Sequence, residues 1–256
     1  MSAPIAFETG FAVIDADDSG YLHTLRSEMF ALAKKAFNLT SDDPEAGFNG
    51  LHHCIEGMSR GELNTRRVDL IRRITTDCDA RELIFKAFER RIVGMLGPDI
   101  LAQKCCNLVL QPPGDPNPSE LHRDAPANSP YEIVMWVPMV DCFASKAMYI
   151  LDVAATARAF DRLDADPMDW TGFESYAKSQ AVRPSVRFGQ ALVFHTGCLH
   201  GSDINGETET RVSLNIRYKS LFAPCGLKNQ LQFFDPLRIS EVTRLGSILE
   251  ARELQR

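Results

Sequence analysis

Apolar residues in the first hundred positions of the chain recur every three or four residues, which is the spacing of amphipathic helices. The pattern predicts one helix over residues 19–37 and a second over residues 79–96, which ends before Gly97. Asp79 and Glu82, at the start of the second helix, resemble a capping box. This part of the chain is therefore predicted to be mostly helical.

Two segments between these helices have a different character. Residues 41–50, SDDPEAGFNG, are predicted to form a loop because turn-favouring residues dominate them. A basic run follows, and we interpret it as the solvated face of a third helix. The members of this run are Arg66, Arg67, Arg72 and Arg73.

After residue 98 the chain changes to short runs of β-branched and apolar residues, separated by turn clusters such as PPGDPNP and INGE. Residues 153–184 are an exception, because they look helical, and an insertion between strands is a common place for a substrate lid. The tail, residues 238–256, again has the spacing of an amphipathic helix. The runs predict strands over residues 105–111, 131–140, 146–152, 185–194 and 210–222.

Helices followed by many short strands favour an antiparallel barrel or sandwich with a helical buttress. A chain of 256 residues is long enough for one such core, so we predict a single domain over residues 1–256. Its expected parts are a mostly helical buttress over residues 1–100, a β core over residues 101–225 with the helical insertion, and the C-terminal helix.

Composition narrows the class of protein. Lys and Arg number 28 and Asp and Glu number 34, so the net charge of −6 disfavours a broad surface for nucleic acid or anionic membranes. No apolar run approaches the roughly 18 residues of a membrane span. Seven scattered cysteines without a CxxC pair, and an N-terminus unlike a signal peptide, favour reduced thiols in the cytoplasm.

Three residues in the β core have the spacing of a metal site. His122 and Asp124 form a His-x-Asp unit, and residues i and i+2 of an extended segment point to the same side. His200 follows a predicted strand about eighty residues later. Two histidines and one carboxylate make the facial triad of non-haem Fe(II) oxygenases, which leaves coordination positions open. His-x-Asp alone is a weak signal, because chance often supplies it.

An alternating strand downstream strengthens this interpretation. Arg211, Ser213, Asn215 and Arg217 alternate with apolar residues, so one face of the strand is polar. An arginine beside a hydroxyl suits a ligand carboxylate, because the guanidinium offers a planar fork of two donors. A solvent-facing strand would show the same alternation, but the His-x-Asp unit and the distal histidine favour the ligand interpretation.

The order His-x-Asp, distal His, then Arg-x-Ser eleven residues later resembles the Fe(II)/2-oxoglutarate-dependent oxygenases, and within them the phytanoyl-CoA dioxygenase-like superfamily. The segments NLVLQPPGDPNPSELHRD, YEIVMWVPMVDC and VFHTGCLHGS are similar to a bacterial branch of carbohydrate and aminoglycoside biosynthesis clusters. The resemblance covers about residues 105–220. It implies a double-stranded β-helix, a cupin-like jelly roll, as the core of a mainly β protein with N-terminal and C-terminal helices.

The resemblance also implies the chemistry. His122, Asp124 and His200 would hold Fe(II), while Arg211, assisted by Ser213, would bind the distal carboxylate of 2-oxoglutarate. The reaction would use O2, release succinate and CO2, and oxidise a small molecule, with a sugar or aminocyclitol intermediate as the leading candidate. Halogenases of this superfamily lack the carboxylate ligand, so the presence of Asp124 favours hydroxylation or a related oxidation.

Further residues are weaker candidates. Asn107 and Gln111 share one face of the strand over residues 105–111, where they would contact 2-oxoglutarate or substrate, or else hold the turn that follows. Trp136 would line the pocket or belong to the core. His195 lies five residues before His200, but the arginine spacing fits His200 better as the ligand.

Three other functions are compatible with parts of the pattern. Zinc held by the same two histidines and aspartate would activate water for hydrolysis, but a zinc site gives Arg211 no role. A non-catalytic jelly-roll binding module would release no succinate. An oxygenase that modifies proteins is the third, although the compact chain and its insertion favour a closed small-molecule pocket. The sequence leaves open whether the chain is a monomer or a homodimer.

Overall fold

The β core of the protein consists of two antiparallel sheets. The computed structural model describes residues 7–227 and 230–253. Within them the strands are short, and most have three to seven residues. They are β1 (Phe11–Asp15), β2 (Ile100–Gln103), β3 (Asn107–Gln111), β4 (Glu132–Pro138), β5 (Met148–Ile150), β6 (Gln190–His195), β7 (His200–Ser202), β8 (Arg211–Ser220) and β9 (Phe234–Arg238).

The large sheet has the order β1-β6-β4-β8-β2-β9, and β3 also pairs with β8. The long strand β8 lies at its centre, with β4 along one edge and with β3 and β2 in succession along the other. Most residues of β4 and β8 are inaccessible to solvent, as expected for strands at the centre of a sheet that is covered on both faces. The sheet therefore holds the polar face of β8 rigidly.

The small sheet pairs β5 with β7 and is extended by single bridges, including one between His122 and His200. Residues from both sheets line one cavity, so the sheets face each other as in a jelly roll. The predicted jelly-roll core with helices at both ends is confirmed, but the chain as a whole is mixed α/β and not mainly β.

Ten helices are described around this core, and helical residues outnumber strand residues because the jelly-roll strands are short. They are α1 (Gly20–Phe37), α2 (Pro44–Asn49), α3 (Leu51–Ile55), α4 (Arg60–Asp77), α5 (Ala80–Ala87), α6 (Glu89–Leu96), α7 (Val153–Ala165), α8 (Trp170–Gln180), α9 (Gln230–Phe233) and α10 (Glu241–Glu253). Among the described residues, no helix has the length and apolar character that crossing a bilayer demands.

Two helical predictions need correction. The helix over residues 79–96 is two helices, because the backbone of Phe88 leaves helical geometry between α5 and α6. The capping box is wrong as well: Asp79 has a left-handed backbone, and its side chain makes no capping hydrogen bond. The residue types suited a cap, but the backbone conformation required to form it is absent.

The segment over residues 41–50 is not a loop throughout, since it contains α2. Asp43 caps this helix by accepting a hydrogen bond from the backbone N–H of Ala46, and Pro44 occupies the first turn. The residues that suggested a turn are thus a helix start. The basic run on α4 is also more than a solvated face, because Arg66 and Arg67 donate hydrogen bonds to the carbonyls of Ala36 and Leu108.

The insertion over residues 153–184 forms α7 and α8, as its pattern predicted. Both helices pack on the outer side of the small sheet, where Phe173 and Ala159 join Tyr149 and Leu199 in a separate hydrophobic cluster. No described residue of the insertion lines the cavity between the sheets. In this structure the insertion supports the small sheet from behind. Closure of the insertion over a bound substrate stays a prediction.

A buried lysine, Lys146, ties the helical part of the chain to the β core. The side chain of Lys146 is fully buried, and its Nζ donates to Asn49 Oδ1 at 2.8 Å and to Glu209 Oε2 at 2.7 Å. Asn49 belongs to α2, whereas Glu209 lies just before β8. Because a buried ammonium requires compensation, Lys146 holds both partners, and its hydrogen bond to Asn49 fixes the position of α2 against the core.

Replacing Glu209 with alanine is expected to lower the free energy of unfolding by about 3 kcal/mol, since it leaves the Lys146 charge buried with only an amide acceptor. The measurement is urea denaturation followed by circular dichroism. Asp166→Ala is the control, because its ion pair with Arg162 is exposed on both sides and should contribute about 0.5 kcal/mol or less. Equal losses in the two variants would contradict the prediction.

Candidate active site

The structure brings His122, Asp124 and His200 together at one end of the cavity. The potential ligand atoms of the three side chains lie within 4.8 Å of one another. A pair of backbone hydrogen bonds, both 2.9 Å long, joins His122 to His200, and their ring centroids are 4.3 Å apart. Residues separated by 78 positions in the sequence are thus held side by side in the small sheet.

Backbone carbonyls select which nitrogen of each histidine is available. Nδ1 of His122 lies 2.8 Å from the carbonyl oxygen of Glu120, and Nδ1 of His200 lies 2.9 Å from that of Cys198. Because a carbonyl only accepts, Nδ1 of each ring carries the hydrogen, which leaves Nε2 of each ring with a free lone pair. This tautomer suits metal binding.

Burial keeps His200 in the protonation state that metal binding requires. His200 is 6% exposed, and its burial, together with the nearby His122, lowers its pKa to about 4. The imidazole is therefore neutral at neutral pH, as a metal ligand must be. Asp124 is 9% exposed, and its Oδ1 accepts a hydrogen bond of 2.8 Å from Arg217 Nη2.

Elsewhere in the same cavity lies a buried cation, Arg211. It is 2% exposed, and its Nη1 donates to Ser202 Oγ at 2.9 Å, while its Nε has no hydrogen-bond partner. The hydroxyl of Ser213, two residues along the same face of β8, also lacks a partner. No carboxylate among the described residues pairs with Arg211, whose pKa burial lowers to about 10, so the guanidinium remains charged.

The cavity that contains Arg211 and the three potential metal ligands has a volume of about 140 Å³. The apolar part of its lining consists of Val109, Val134, Trp136, Met148 and Phe194. A buried cation is costly without a compensating anion. The arrangement therefore fits an anionic ligand bound at Arg211 that extends through the cavity toward the three potential metal ligands.

Of the other candidate residues, two line the cavity and two do not. Asn107 and Trp136 line the cavity, and the Trp136 ring lies 6.0 Å from the Arg211 guanidinium carbon. Gln111 does not line it: its amide donates to the carbonyl of Asp203 at 2.7 Å, which ties β3 to the end of β7. His195 lies outside the ligand group, because its Nε2 contacts the carbonyl of Pro130 at 2.7 Å.

Some residues of the site were not assigned a role from the sequence. Ser202 holds Arg211, and it lies two residues after His200 on a short strand, so alternation along that strand is a signal that could have found it. Gln103, which accepts a hydrogen bond from Arg217, offered no such signal. Its contact depends on the pairing of β2 with β8.

The chain is an antiparallel jelly roll that brings two histidines and one carboxylate together, and it shares its fold with solved non-haem monooxygenases. Solved structures with this fold include apo ThoJ, a non-haem monooxygenase, at 16% identity and a TM-score of 0.59, over 93% of this chain and 84% of that one. A nickel complex of ThoJ matches at 17% identity and a TM-score of 0.53, over 94% and 85% of the two chains.

EctD from S. alaskensis, in its apo form, is similar at 14% identity and a TM-score of 0.56, over 90% of this chain and 82% of that one. Similarity at such identities shows a shared fold. No protein-family model matches the sequence, and no curated protein matches it significantly. The assignment to the phytanoyl-CoA dioxygenase-like superfamily and to its bacterial branch therefore stays a prediction.

Proposed function

We propose that the protein is a non-haem Fe(II)- and 2-oxoglutarate-dependent oxygenase that oxidises a small molecule. The observation that carries this proposal is the pairing, in one cavity, of a two-histidine, one-carboxylate group with a buried arginine that lacks a carboxylate partner among the described residues. The ligand group alone would also suit zinc, and the arginine alone would suit any small anion. Together they match the requirements of a metal and a dicarboxylate.

The donor set fits the proposed groups. His122 and His200 would bind Fe(II) through Nε2 and Asp124 through a carboxylate oxygen, a ligand set that leaves positions open for further ligands. The unpartnered Nε of Arg211 and hydroxyl of Ser213 would donate to the distal carboxylate of 2-oxoglutarate. When bound, Fe(II) and 2-oxoglutarate supply the activation of O2 and the oxidation of the substrate, with release of succinate and CO2.

Other groups around the cavity hold the binding residues in their orientations. Ser202 fixes the Arg211 side chain, and the carbonyls of Glu120 and Cys198 fix the two imidazole rings. Trp136 and Phe194 give part of the cavity an apolar lining, which would strengthen the hydrogen bonds formed beside it. The chain thus contributes binding and orientation, whereas the metal and the cosubstrate contribute the oxidation.

We propose a sugar or aminocyclitol intermediate as the substrate. This choice is supported by the resemblance of the segments around the His-x-Asp unit and the distal histidine to the carbohydrate and aminoglycoside branch. The amide side chains of Asn107 and Asn215, which line the cavity, would suit hydroxyl or amino groups. We propose that the enzyme works in the cytoplasm as a monomer or homodimer, as one domain, and the seven free cysteines agree with a reducing compartment.

A visible absorption band should appear when the protein is mixed anaerobically with Fe(II) and 2-oxoglutarate, because the bound keto acid accepts charge from the metal. Admitting O2 should then release succinate. The zinc hydrolase alternative predicts neither signal, and a binding module predicts no succinate. Protein that binds Zn(II) but yields no band with Fe(II) and 2-oxoglutarate would contradict the proposed function.

A further inference from the structure

Arg217 is a second arginine of the cavity, and it contacts a potential metal ligand directly. Its Nη2 donates to Asp124 Oδ1 at 2.8 Å, and its Nη1 lies 3.3 Å from Gln103 Oε1. The Arg217 side chain is 16% exposed and that of Asp124 is 9% exposed, so solvent screens this pair only weakly. The contact is therefore a strong constraint on the carboxylate.

The two partners differ in how firmly the fold holds them. Arg217 lies on the central strand β8, opposite Val134 of β4, and Gln103 is the last residue of β2. Asp124 lies on an irregular segment between the bridge at His122 and a turn. Because the guanidinium of Arg217 is anchored to the large sheet, we infer that Arg217 fixes the position of the Asp124 carboxylate.

We propose that Arg217 is a positioning residue that makes Asp124 bind the metal through a single oxygen. A carboxylate can bind through one oxygen or both. The hydrogen bond from Arg217 fixes the orientation of the Asp124 carboxylate and draws charge from Oδ1, which favours Oδ2 as the oxygen that binds the metal. This inference rests on the proposed function, in which Asp124 is a metal ligand.

The number of coordination positions explains why Asp124 should bind through a single oxygen. An octahedral ion bound by His122, His200 and one oxygen of Asp124 keeps three positions open. Two would be needed for the keto acid and one for O2. A second oxygen from Asp124 would take one of the three, so the single-oxygen mode is the one that the reaction requires.

The hydrogen-bonding pattern also accounts for an arginine at position 217. The planar guanidinium reaches Asp124 and Gln103 at once, with different nitrogens. A lysine would keep the charge but would not reproduce both bonds in fixed directions. Arg211, six residues earlier on the same face, has no such carboxylate contact among the described residues, so the two arginines have different roles.

The test is metal binding alone, measured with Ni(II) and Co(II) in the absence of 2-oxoglutarate. Arg217→Met keeps the length of the apolar stem but loses the fork. We expect it to weaken Ni(II) binding by about 10- to 100-fold, the usual effect of losing a partner of a metal ligand. The visible bands of bound Co(II) should also change, because the coordination by Asp124 is no longer restricted. Arg217→Lys should fall between wild type and Arg217→Met.

Arg26→Met is the matched control. Arg26 is also a largely buried arginine paired with a carboxylate, that of Glu45 at 3.5 Å, but it lies on α1, outside the cavity. It should keep wild-type Ni(II) affinity and Co(II) bands. Gln103→Met removes only the hydrogen bond that anchors the guanidinium, and it should give a smaller change in the same direction as Arg217→Met. If Arg217→Met does not fold, Gln103→Met is the variant that tests the positioning role.

Wild-type affinity and unchanged Co(II) bands in both Arg217→Met and Gln103→Met would overturn the positioning role. The proposed function would still stand in that case. If the wild-type protein bound neither metal, the metal assignment itself would be wrong. The two failures are therefore distinguishable.

Discussion

Alanine in place of Asp124, His122 or His200 is expected to abolish turnover and to weaken Fe(II) binding by more than about 100-fold. The physical reason is that each change removes one of three protein ligands, and losing a mere partner of a ligand already costs about 10- to 100-fold. Anaerobic Fe(II) titration and succinate release are the measurements. The fold should persist, as thermal unfolding would show, since the group lies at the end of a cavity and outside the main hydrophobic cluster.

His195→Ala is the control for this prediction. His195 is a histidine near the ligands in sequence, but both its nitrogens contact the backbone, at Pro130 and Gly197. It should keep its bound iron. Full activity in Asp124→Ala, or loss of iron in His195→Ala with the fold intact, would show that the ligands have been assigned wrongly.

Arg211 is expected to dominate the affinity for 2-oxoglutarate. Hydrogen bonds to charged groups contribute roughly 1.5–3 kcal/mol each, so losing the two-donor fork in Arg211→Ala should weaken binding by on the order of 10²-fold or more, at about 1.4 kcal/mol per tenfold. Arg211→Lys keeps the charge without the fork and should be intermediate. The measurement is an anaerobic titration of the visible band with 2-oxoglutarate.

Two comparisons make this result specific. Ser213→Ala, which removes one neutral donor beside the arginine, should cost about tenfold or less, since it loses one bond of roughly 1.5 kcal/mol. Fe(II) affinity should stay near the wild-type value in both Arg211 variants, because Arg211 contacts Ser202 and no residue of the metal-ligand group. Unchanged 2-oxoglutarate affinity in Arg211→Ala would exclude it as the anchor.

Local geometry made much of the candidate site predictable. Arg211 and Ser213 are two positions apart on the strand β8, so they face the same side of it, and His122 and Asp124 have the same spacing. The helix α1 and the helices of the insertion were predictable for the same reason, since a repeated apolar spacing is a local property. The short edge strand β1 was not, because five residues with partial burial carry little periodic signal.

Contacts between distant segments could only be decided by the tertiary structure. The bond from Arg217 to Asp124 joins residues 93 positions apart, and the sequence presented Arg217 only as one more polar residue on an alternating strand. Gln111 shows the opposite case: it has the right strand face, but the loop after β7 uses its amide. The insertion was likewise predictable as helical, yet its position behind the small sheet depends on Phe173 and Tyr149 packing together.

The sequence by itself therefore determined which residues point the same way along each strand, and with them the chemistry that the chain offers. Only the folded chain decided which of these faces meet, since β2 pairs with β8 over a long separation and β7, in the other sheet, meets β8 across the cavity. The physical reason is range: side-chain alternation is set by neighbouring peptide units, whereas the partners of Asp124, Arg211 and Lys146 are set by the packing of whole elements.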